Sequence, residues 1–227
     1  MDPMLEALNA GLPDLGLSLP AGAAETMCAF GQALLEKNQV MNLTAITEPR
    51  QVAQLHFLDS LTLLTLADFR HKQVIDVGCG GGFPGVPLKI ACPDMGLTLL
   101  DSLGKRMTWL SQTLPALGID DAVYLTARAE EAVASRREQY DFAVSRAVAY
   151  LPILCELCLP YVKTGGAFLA MKGGGSAGRN SVCPERHGAF GRAIGKPGSF
   201  FHRRGGTRRR CNPEGASHSG PVSPPLW

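Results

Sequence analysis

The sequence lacks several features that would assign it to whole classes of protein. No apolar run approaches the roughly 18 residues needed to cross a bilayer, and the stretch MDPMLEALNAGLPDLG carries acids but no base, unlike a secretory signal. The seven cysteines are odd in number, and no second pair or histidine cluster stands at metal spacing from Cys155 and Cys158. We therefore expect a cytoplasmic protein with reduced thiols, no membrane association, no metal and no disulfide framework.

Charge and glycine are unevenly distributed along the chain. Residues 1–172 hold 13 bases and 18 acids, whereas residues 173–227 hold 9 bases, 2 acids and 12 of the 26 glycines, with only four Ile, Leu or Val. Such a tail cannot bury enough apolar surface to offset the entropy of ordering it. We expect it to be largely disordered. A frameshift at about codons 172–174 is our favoured explanation, and an RNA-binding tail with arginines at 203, 204 and 208–210 is the alternative.

Hydrophobic periodicity divides the rest of the chain into two parts. Helical spacing predicts helices over 21–38 and 48–66, with a short helix and a loop before them. Short β-rich runs at 74–78, 97–101, 122–126, 141–145 and 167–172 then alternate with helix-length segments at 84–91, 103–117, 127–137 and 150–162. This alternation predicts a parallel sheet with right-handed crossovers. We expect an N-terminal helical segment (1–70), an α/β domain (71–172) and the tail (173–227).

A glycine-rich turn, VIDVGCGGGFPG at 74–85, follows the first predicted strand. Gly80, Gly82 and Gly85 satisfy the dinucleotide fingerprint G-x-G-x-x-G, and the same loop read from Asp76 resembles the first motif of class I S-adenosylmethionine (AdoMet)-dependent methyltransferases. Asp76 favours the methyltransferase motif, because a carboxylate would repel a pyrophosphate but could accept hydrogen bonds from a methionine ammonium group. Asp101 closes the next strand, where an acid binds ribose hydroxyls in either cofactor. A tight turn without a ligand is the remaining alternative.

Seven collinear motifs extend the resemblance to most of residues 20–172. They are NLTAIT (42–47), HFLDSL (56–61), DVGCGGGFPGVPLKI (76–90), LLDSLGKRMTWL (99–110), RAE (128–130), SRAVA (145–149) and LCLPYVKTGG (157–166). Together they resemble the bacterial 16S ribosomal RNA guanine-N7 methyltransferases, the glucose-inhibited division protein B family.

The resemblance implies a Rossmann-like class I methyltransferase fold, with AdoMet as cofactor and with the last strands of the sheet missing from this chain. The implied cofactor contacts are Gly78 and Phe83 at the methionine side, Asp101, Ser102 and Leu103 at the ribose, Ala129 and Glu130 at the adenine, and Arg146 beside the reacting methyl, in addition to Asp76 and Gly80. Phe83 could instead be a packing residue and Arg146 an ion-paired surface residue. Candidate RNA contacts are Asn42, Arg50, His56, Lys105, Arg106 and Lys172.

The chemistry of guanine N7 sets modest demands on such a site. Its in-plane lone pair attacks a sulfonium methyl without losing a proton, so positioning matters and a strong general base does not. No Asp-Pro-Pro-Tyr-like motif or Pro-Cys pair is present, which argues against methylation of exocyclic amines or cytosine C5. The resemblance implies 16S rRNA as the substrate, and because residues 1–172 are net acidic and would bind free RNA poorly, we expect the enzyme to act on this RNA within the small ribosomal subunit. We also expect a monomer. The alternatives are a small-molecule methyltransferase and a non-catalytic RNA- or ribosome-binding protein.

Overall fold

The computed structural model describes residues 2–146, 150–171 and 199–203, and its first part is helical. The elements are α1 (Pro3–Gly11), a 3₁₀ turn (Pro13–Leu15), α2 (Ala23–Met41), α3 (Pro49–Val52), a π-helical turn (Ala53–Leu58), α4 (Asp59–Leu61) and a second 3₁₀ turn (Thr62–Thr65). The helix predicted over 48–66 is therefore continuous in the chain but changes its hydrogen-bonding pattern three times. π-Helical turns widen a helix locally and are frequent at functional sites.

Side-chain caps explain where two of these helices begin. The Asp2 carboxylate accepts a hydrogen bond from the Met4 amide at 2.8 Å. The Glu48 carboxylate accepts from two backbone amides of the first turn of α3, in which Pro49 needs no hydrogen-bond acceptor. Such caps satisfy amides that have no partner within the helix. They fix the start of both helices at acidic residues.

The second part is an α/β domain with a six-stranded sheet in the order β3-β2-β1-β4-β5-β6. Its elements are β1 (Gln73–Val77), α5 (Gly85–Ala91), β2 (Gly96–Asp101), α6 (Gly104–Ala116), β3 (Val123–Thr126), α7 (Ala129–Arg136), β4 (Tyr140–Arg146), α8 (Leu151–Cys158), a 3₁₀ turn (Leu159–Tyr161), β5 (Val162–Met171) and β6 (Ser199–Arg203). Strands β1 to β5 are parallel. The strand order reverses between β1 and β4, and open α/β sheets bind ligands at such a switch point.

Two hydrophobic cores cover the two faces of the sheet. Val74 and Leu99 point into a core shared with the N-terminal helices, whereas Ile75 and Leu100 point into a core with α7 and α8. This alternation follows from the two-residue period of a strand, and burial on both faces explains why the central strands β1 and β2 are mostly apolar. Cys155 and Cys158 lie buried in the second core as small apolar side chains.

The structure corrects two predictions at the end of the sheet. β5 begins at Val162, five residues before the predicted start, because the run Lys163–Gly166 continues the strand around a register shift opposite β4. The expectation that the last strands of the sheet are missing is wrong for one strand, since β6 pairs antiparallel with β5. The mean composition of the tail concealed the aromatic run SFFHR, whose residue types favour strands. The other predictions for residues 172–198 and 204–227, including disorder and a frameshift, lie outside the described residues.

The described residues offer neither a membrane-spanning helix nor a cluster of metal ligands. None of their helices combines the length and apolar character required to cross a membrane. Within the same residues, no group of three or more His, Cys, Asp or Glu side chains is placed to hold a metal ion.

Candidate active site

A cavity of about 460 Å³ opens at the carboxyl ends of β1, β2 and β4. The glycine loop after β1 forms its floor, the residues after β2 and β3 form one side, and the end of β4 forms the other. The predicted cofactor residues that border it are Gly78, Gly80, Phe83, Asp101, Ser102, Leu103, Ala129, Glu130 and Arg146. These predicted cofactor residues are as much as 68 positions apart in the sequence.

The glycine loop needs glycine for two different reasons. Gly80 has a φ of +56°, and a Cβ built there would meet no atom within 4 Å, so it would project into open space. Gly82 has a φ of +93°, but its Cβ would lie 2.8 Å from a methyl carbon of Val86. Positive φ angles strain residues that carry a side chain. Gly80 thus leaves room beside the cavity, and Gly82 permits close packing of the loop on α5.

Asp101 connects this loop to the end of β2. Its carboxylate accepts hydrogen bonds from the Gly80 amide and from the Leu103 amide, both at 2.9 Å. The guanidinium of Arg106 lies 3.6 Å from the same carboxylate. Each carboxylate oxygen can accept more than one hydrogen bond, so these two amides leave acceptor sites for a ligand.

Asp76 lies beneath the cavity floor and does not border the cavity. The side chain is fully buried, and its Oδ2 atom accepts a hydrogen bond from the Gly85 amide at the start of α5 at 2.7 Å. A side chain at Gly85 would collide with this carboxylate, because its Cβ would lie 2.8 Å from Oδ2. The Oδ1 atom has no hydrogen-bond partner among the described residues. Burial raises the pKa of Asp76 to about 7.

The start of α7 forms the side of the cavity next to β3. The Ala129 carbonyl accepts a hydrogen bond from the Tyr161 hydroxyl at 2.5 Å, which attaches this turn to the buried 3₁₀ segment before β5. The Glu130 carboxylate accepts a hydrogen bond from Arg128 at 2.9 Å. A backbone hydrogen bond and this contact lower the pKa of Glu130. The turn that the resemblance assigns to adenine is therefore fixed from both sides.

Arg146 forms the opposite side of the cavity, where β4 ends. Its guanidinium donates to the Leu55 carbonyl at 3.2 Å and to His56 Nδ1 at 3.0 Å, and it lies 3.5 Å from the Asp59 carboxylate. All three partners belong to the π-helical turn or the residue after it. The guanidinium carbon also lies 4.9 Å from the centre of the Phe83 ring, a cation–π distance. Only 15% of the Arg146 side chain is exposed.

The hydrogen bonds of His56 define its protonation state. An arginine can only donate, so His56 Nδ1 must be the acceptor, and the ring proton resides on Nε2. Nε2 lies 2.7 Å from Thr44 Oγ1, which therefore accepts that proton's hydrogen bond and another from the Ile46 amide at 3.0 Å. Burial, and then the charge of Arg146, lowers the pKa of His56 to about 4. The imidazole is neutral at pH 7 and stacks on Phe83 with ring centres 4.6 Å apart.

The candidate RNA residues are dispersed. His56 and Arg106 border the cavity, and Lys105 is exposed on the first turn of α6. Asn42 ends α2 with a φ of +51°. Arg50 is paired with Glu6 at 2.6 Å, beside a groove between α1 and α3 and outside the cavity. Lys172 lies outside the described residues.

Sequence reasoning missed the contacts that make the cavity wall rigid. Thr44 and Leu55 hold His56 and Arg146, and Ser145 donates to the Val77 carbonyl at 2.8 Å where β4 meets β1. Thr44 and Ser145 lie in two of the motifs quoted above, NLTAIT and SRAVA, which was a usable signal. Nothing in the sequence pointed to the Leu55 carbonyl, because a backbone acceptor has no residue-type signature.

Two relatives that share one name resemble this chain over most of its length. The chain is 46% identical over 169 residues to the ribosomal RNA small subunit methyltransferase G of Alkaliphilus metalliredigens, a match that covers 73% of this chain and 71% of the relative. It is 44% identical over 171 residues to the protein of the same name from Alkaliphilus oremlandii, covering 74% of this chain and 72% of that one. A putative methyltransferase, yhhF, from Escherichia coli superposes with a TM-score of 0.49 at 14% identity, covering 63% of this chain and 83% of that chain.

The family model described as GidB, rRNA small subunit methyltransferase G, matches residues 23–185. This range confirms the family resemblance and extends 13 residues beyond the stretch 20–172 that the sequence motifs cover. The matched residues contain the glycine loop, Asp101, His56 and Arg146. The chain belongs to the GidB family of rRNA small subunit methyltransferases G.

Proposed function

We propose that this methyltransferase moves the methyl group of AdoMet to N7 of a guanine in the 16S rRNA of the small ribosomal subunit. The observation that carries the proposal is the cavity at the β1–β4 switch point, with open space at Gly80 on its floor and Asp101 at the end of β2. The names of the relatives, ribosomal RNA small subunit methyltransferase G, support the substrate.

The residues around the cavity fit a nucleoside cofactor. Drug-sized ligands occupy sites of about 300–1,000 Å³, and this cavity has about 460 Å³. A Cβ at Gly80 would fill the space that a ligand needs, and Asp101 has acceptor sites for ribose hydroxyls. In this proposal Asp101, Ser102 and Leu103 hold the ribose. AdoMet supplies an electrophilic methyl group when it is bound.

Asp76 supports the cofactor site from below. Its carboxyl group has one acceptor atom without a partner among the described residues, and the glycine loop lies directly above it. A bound ammonium group would favour the ionised form of Asp76, because a nearby cation lowers the pKa of a carboxyl group. We therefore propose an electrostatic contribution from Asp76 through the loop, in place of the direct contact expected from the sequence.

The remaining side of the cavity suits an acceptor that needs no deprotonation. His56 is the imidazole at this side, and both of its nitrogens are engaged, with Arg146 and with Thr44. It is therefore poorly placed to act as a general base, and guanine N7 requires none. The chain's own task is to orient the base and to exclude water from the attacking lone pair. The carboxylate of Asp101, which borders the cavity, favours the positive charge that the methylated base acquires.

The net charge of the chain bears on whether the substrate is free RNA or the assembled small subunit. Residues 1–172 have more acids than bases, and free RNA is bound mainly through cations. We propose that the assembled small subunit supplies additional contacts, that the protein acts in the cytoplasm as a monomer, and that residues 1–70, 71–172 and 173–227 are its helical segment, catalytic domain and tail.

Two measurements test the proposal. Calorimetry with AdoMet should show one site per chain, and small subunits from a strain without this methyltransferase should accept labelled methyl at a single guanine. Digestion to nucleosides should yield 7-methylguanosine. Binding without transfer to subunits would favour a small-molecule substrate, and absence of binding would favour a non-catalytic RNA-binding protein. The Gly80→Val variant is the matched control for cofactor-dependent transfer.

A further inference from the structure

The two sides of the cavity offer different groups to their ligands. On the β2 side, Asp101 and the nearby Arg106 border the site proposed for the cofactor ribose. On the β4 side, Arg146 is the cationic side chain that borders the cavity in the described part of the chain. The cofactor and the acceptor must meet at the switch point between β1 and β4. Arg146 is therefore the charged donor closest to the place where the acceptor base must enter.

The guanidinium of Arg146 is held rigidly and has donors to spare. Nη1 contacts the Leu55 carbonyl and the Asp59 carboxylate, and Nη2 contacts His56 Nδ1. An arginine has five N–H donors, so Nε–H and one Nη2–H remain without a partner among the described residues. Among the described residues, the fully buried side-chain atoms that lack a hydrogen-bond partner do not include Nε or Nη2 of Arg146. The planar group is thus fixed at one edge and available at another.

The edge of guanine that carries N7 also carries O6, and the two atoms differ in what the enzyme must do with them. The N7 lone pair has to stay free to attack the methyl group, whereas O6 is an acceptor that a fixed donor can read. Adenine has an amino group at that position, and this amino group is a donor that cannot accept a hydrogen bond from the protein. A donor aimed at O6 therefore selects guanine without blocking the reacting atom.

We infer that Arg146 selects guanine by donating a hydrogen bond to O6 and leaving N7 free. The inference rests on the proposed function, since it concerns the same acceptor base. His56 is a positioning residue in this scheme, because its neutral Nδ1 accepts from Nη2 and fixes the plane of the guanidinium. The Thr44 hydroxyl oxygen accepts a hydrogen bond from Nε2–H of His56 and so stabilises the tautomer in which Nδ1 is an acceptor.

The test compares bases that differ at one atom. Small subunits are reconstituted with 16S RNA that carries guanosine, 2-aminopurine riboside or 2,6-diaminopurine riboside at the nucleotide that the wild-type enzyme methylates. 2-Aminopurine lacks O6, and 2,6-diaminopurine has an amino group there. The wild type should prefer guanosine over 2-aminopurine by about tenfold or more in kcat/KM, and should discriminate more strongly against 2,6-diaminopurine.

Variants locate the origin of that preference. In Arg146→Met the preference for guanosine over 2-aminopurine should fall by about tenfold relative to the wild type. Comparing the two proteins' ratios cancels any intrinsic difference in N7 reactivity between the bases. Both bases are measured with one protein sample, so loss of folded enzyme does not alter the ratio. The matched control, Arg106→Met, removes the arginine on the β2 side and should keep the wild-type ratio. His56→Ala should reduce the ratio, and His56→Gln, which retains an acceptor, should restore part of it.

Each outcome decides the inference. An unchanged ratio in Arg146→Met, or an equal loss in Arg106→Met, would overturn it. Failure of the wild type to methylate guanosine in any small subunit would instead refute the proposed function, which separates the two claims.

Discussion

Asp101→Asn separates two roles that the structure gives to one carboxylate. Asp101 accepts hydrogen bonds from the Gly80 and Leu103 amides, and we propose that it also binds the cofactor ribose. Asparagine retains one acceptor oxygen, so one of the two amides would face an amide nitrogen instead. A hydrogen bond to a charged group contributes about 1.5–3 kcal/mol. We expect the free energy of unfolding to decrease by about that amount in urea denaturation.

The same substitution should weaken AdoMet binding by about 10- to 150-fold in calorimetry, since the charge-assisted bonds to the ribose are lost. The exposed Asp120→Asn is the matched control and should change stability by less than about 0.5 kcal/mol. A loss of stability with unchanged affinity would mean that Asp101 only supports the loop. Unchanged stability and affinity would refute the hydrogen-bond reasoning altogether.

Three further predictions address the loop, the buried titratable groups and a remote site. Gly80→Val should leave the circular dichroism spectrum intact but abolish AdoMet binding, because the side chain enters the cavity and resists a positive φ; binding at wild-type affinity would contradict the loop assignment. The raised pKa of Asp76, about 7, favours its protonated form in the fold, so its contribution to stability is present below about pH 4 and is lost as the pH rises to about 7. The lowered pKa of His56, about 4, favours its neutral form in the fold, so its pH dependence is opposite. Its contribution to stability is present above about pH 6.5 and is lost as the pH falls to about 4. Relative to the wild type, the unfolding free energy of Asp76→Asn should therefore increase with pH from 4 to 7 and that of His56→Gln should decrease from 4 to 6.5; parallel profiles would disprove both shifts. Lys89→Met should lower stability by more than about 2 kcal/mol without affecting cofactor affinity, because the buried ammonium donates to the Pro93 and Met95 carbonyls at 2.7 Å; an unaltered denaturation midpoint would show that this contact contributes nothing.

Local patterns were enough to predict which residues border the cavity at the glycine loop and at the end of β2. The strand before the glycine loop, the loop itself and Asp101 at the end of β2 lie within 30 residues, and each has a recognisable residue type at a fixed spacing. The five parallel strands were predicted from their short β-rich runs, of which β1 and β2 are buried almost throughout. The early start of β5 was missed because Gly165 and Gly166 indicated a turn, whereas the strand passes through them.

Tertiary contacts explain what the sequence could not predict. The stacking of His56 on Phe83 and its hydrogen bond to Arg146 join three separate motifs, and no period or spacing relates them. The π-helical turn was predicted as ordinary helix, since its apolar residues keep approximate helical spacing. Asp76 was expected in contact with the cofactor, but a hydrogen bond to Gly85, nine residues later, places it in the interior.

The contacts of Arg146 also imply an order of assembly. Its hydrogen bonds to Leu55 and His56 close loops of 91 and 90 residues, whereas the bond from the Gly80 amide to Asp101 closes a loop of 21. Longer loops cost more entropy to close, and non-local contacts slow folding. During refolding, the half of the cavity around Asp101 should therefore form before the half around Arg146. A folding chain would acquire the ability to hold a nucleoside first, and would gain its wall for the acceptor base only when the N-terminal helices dock.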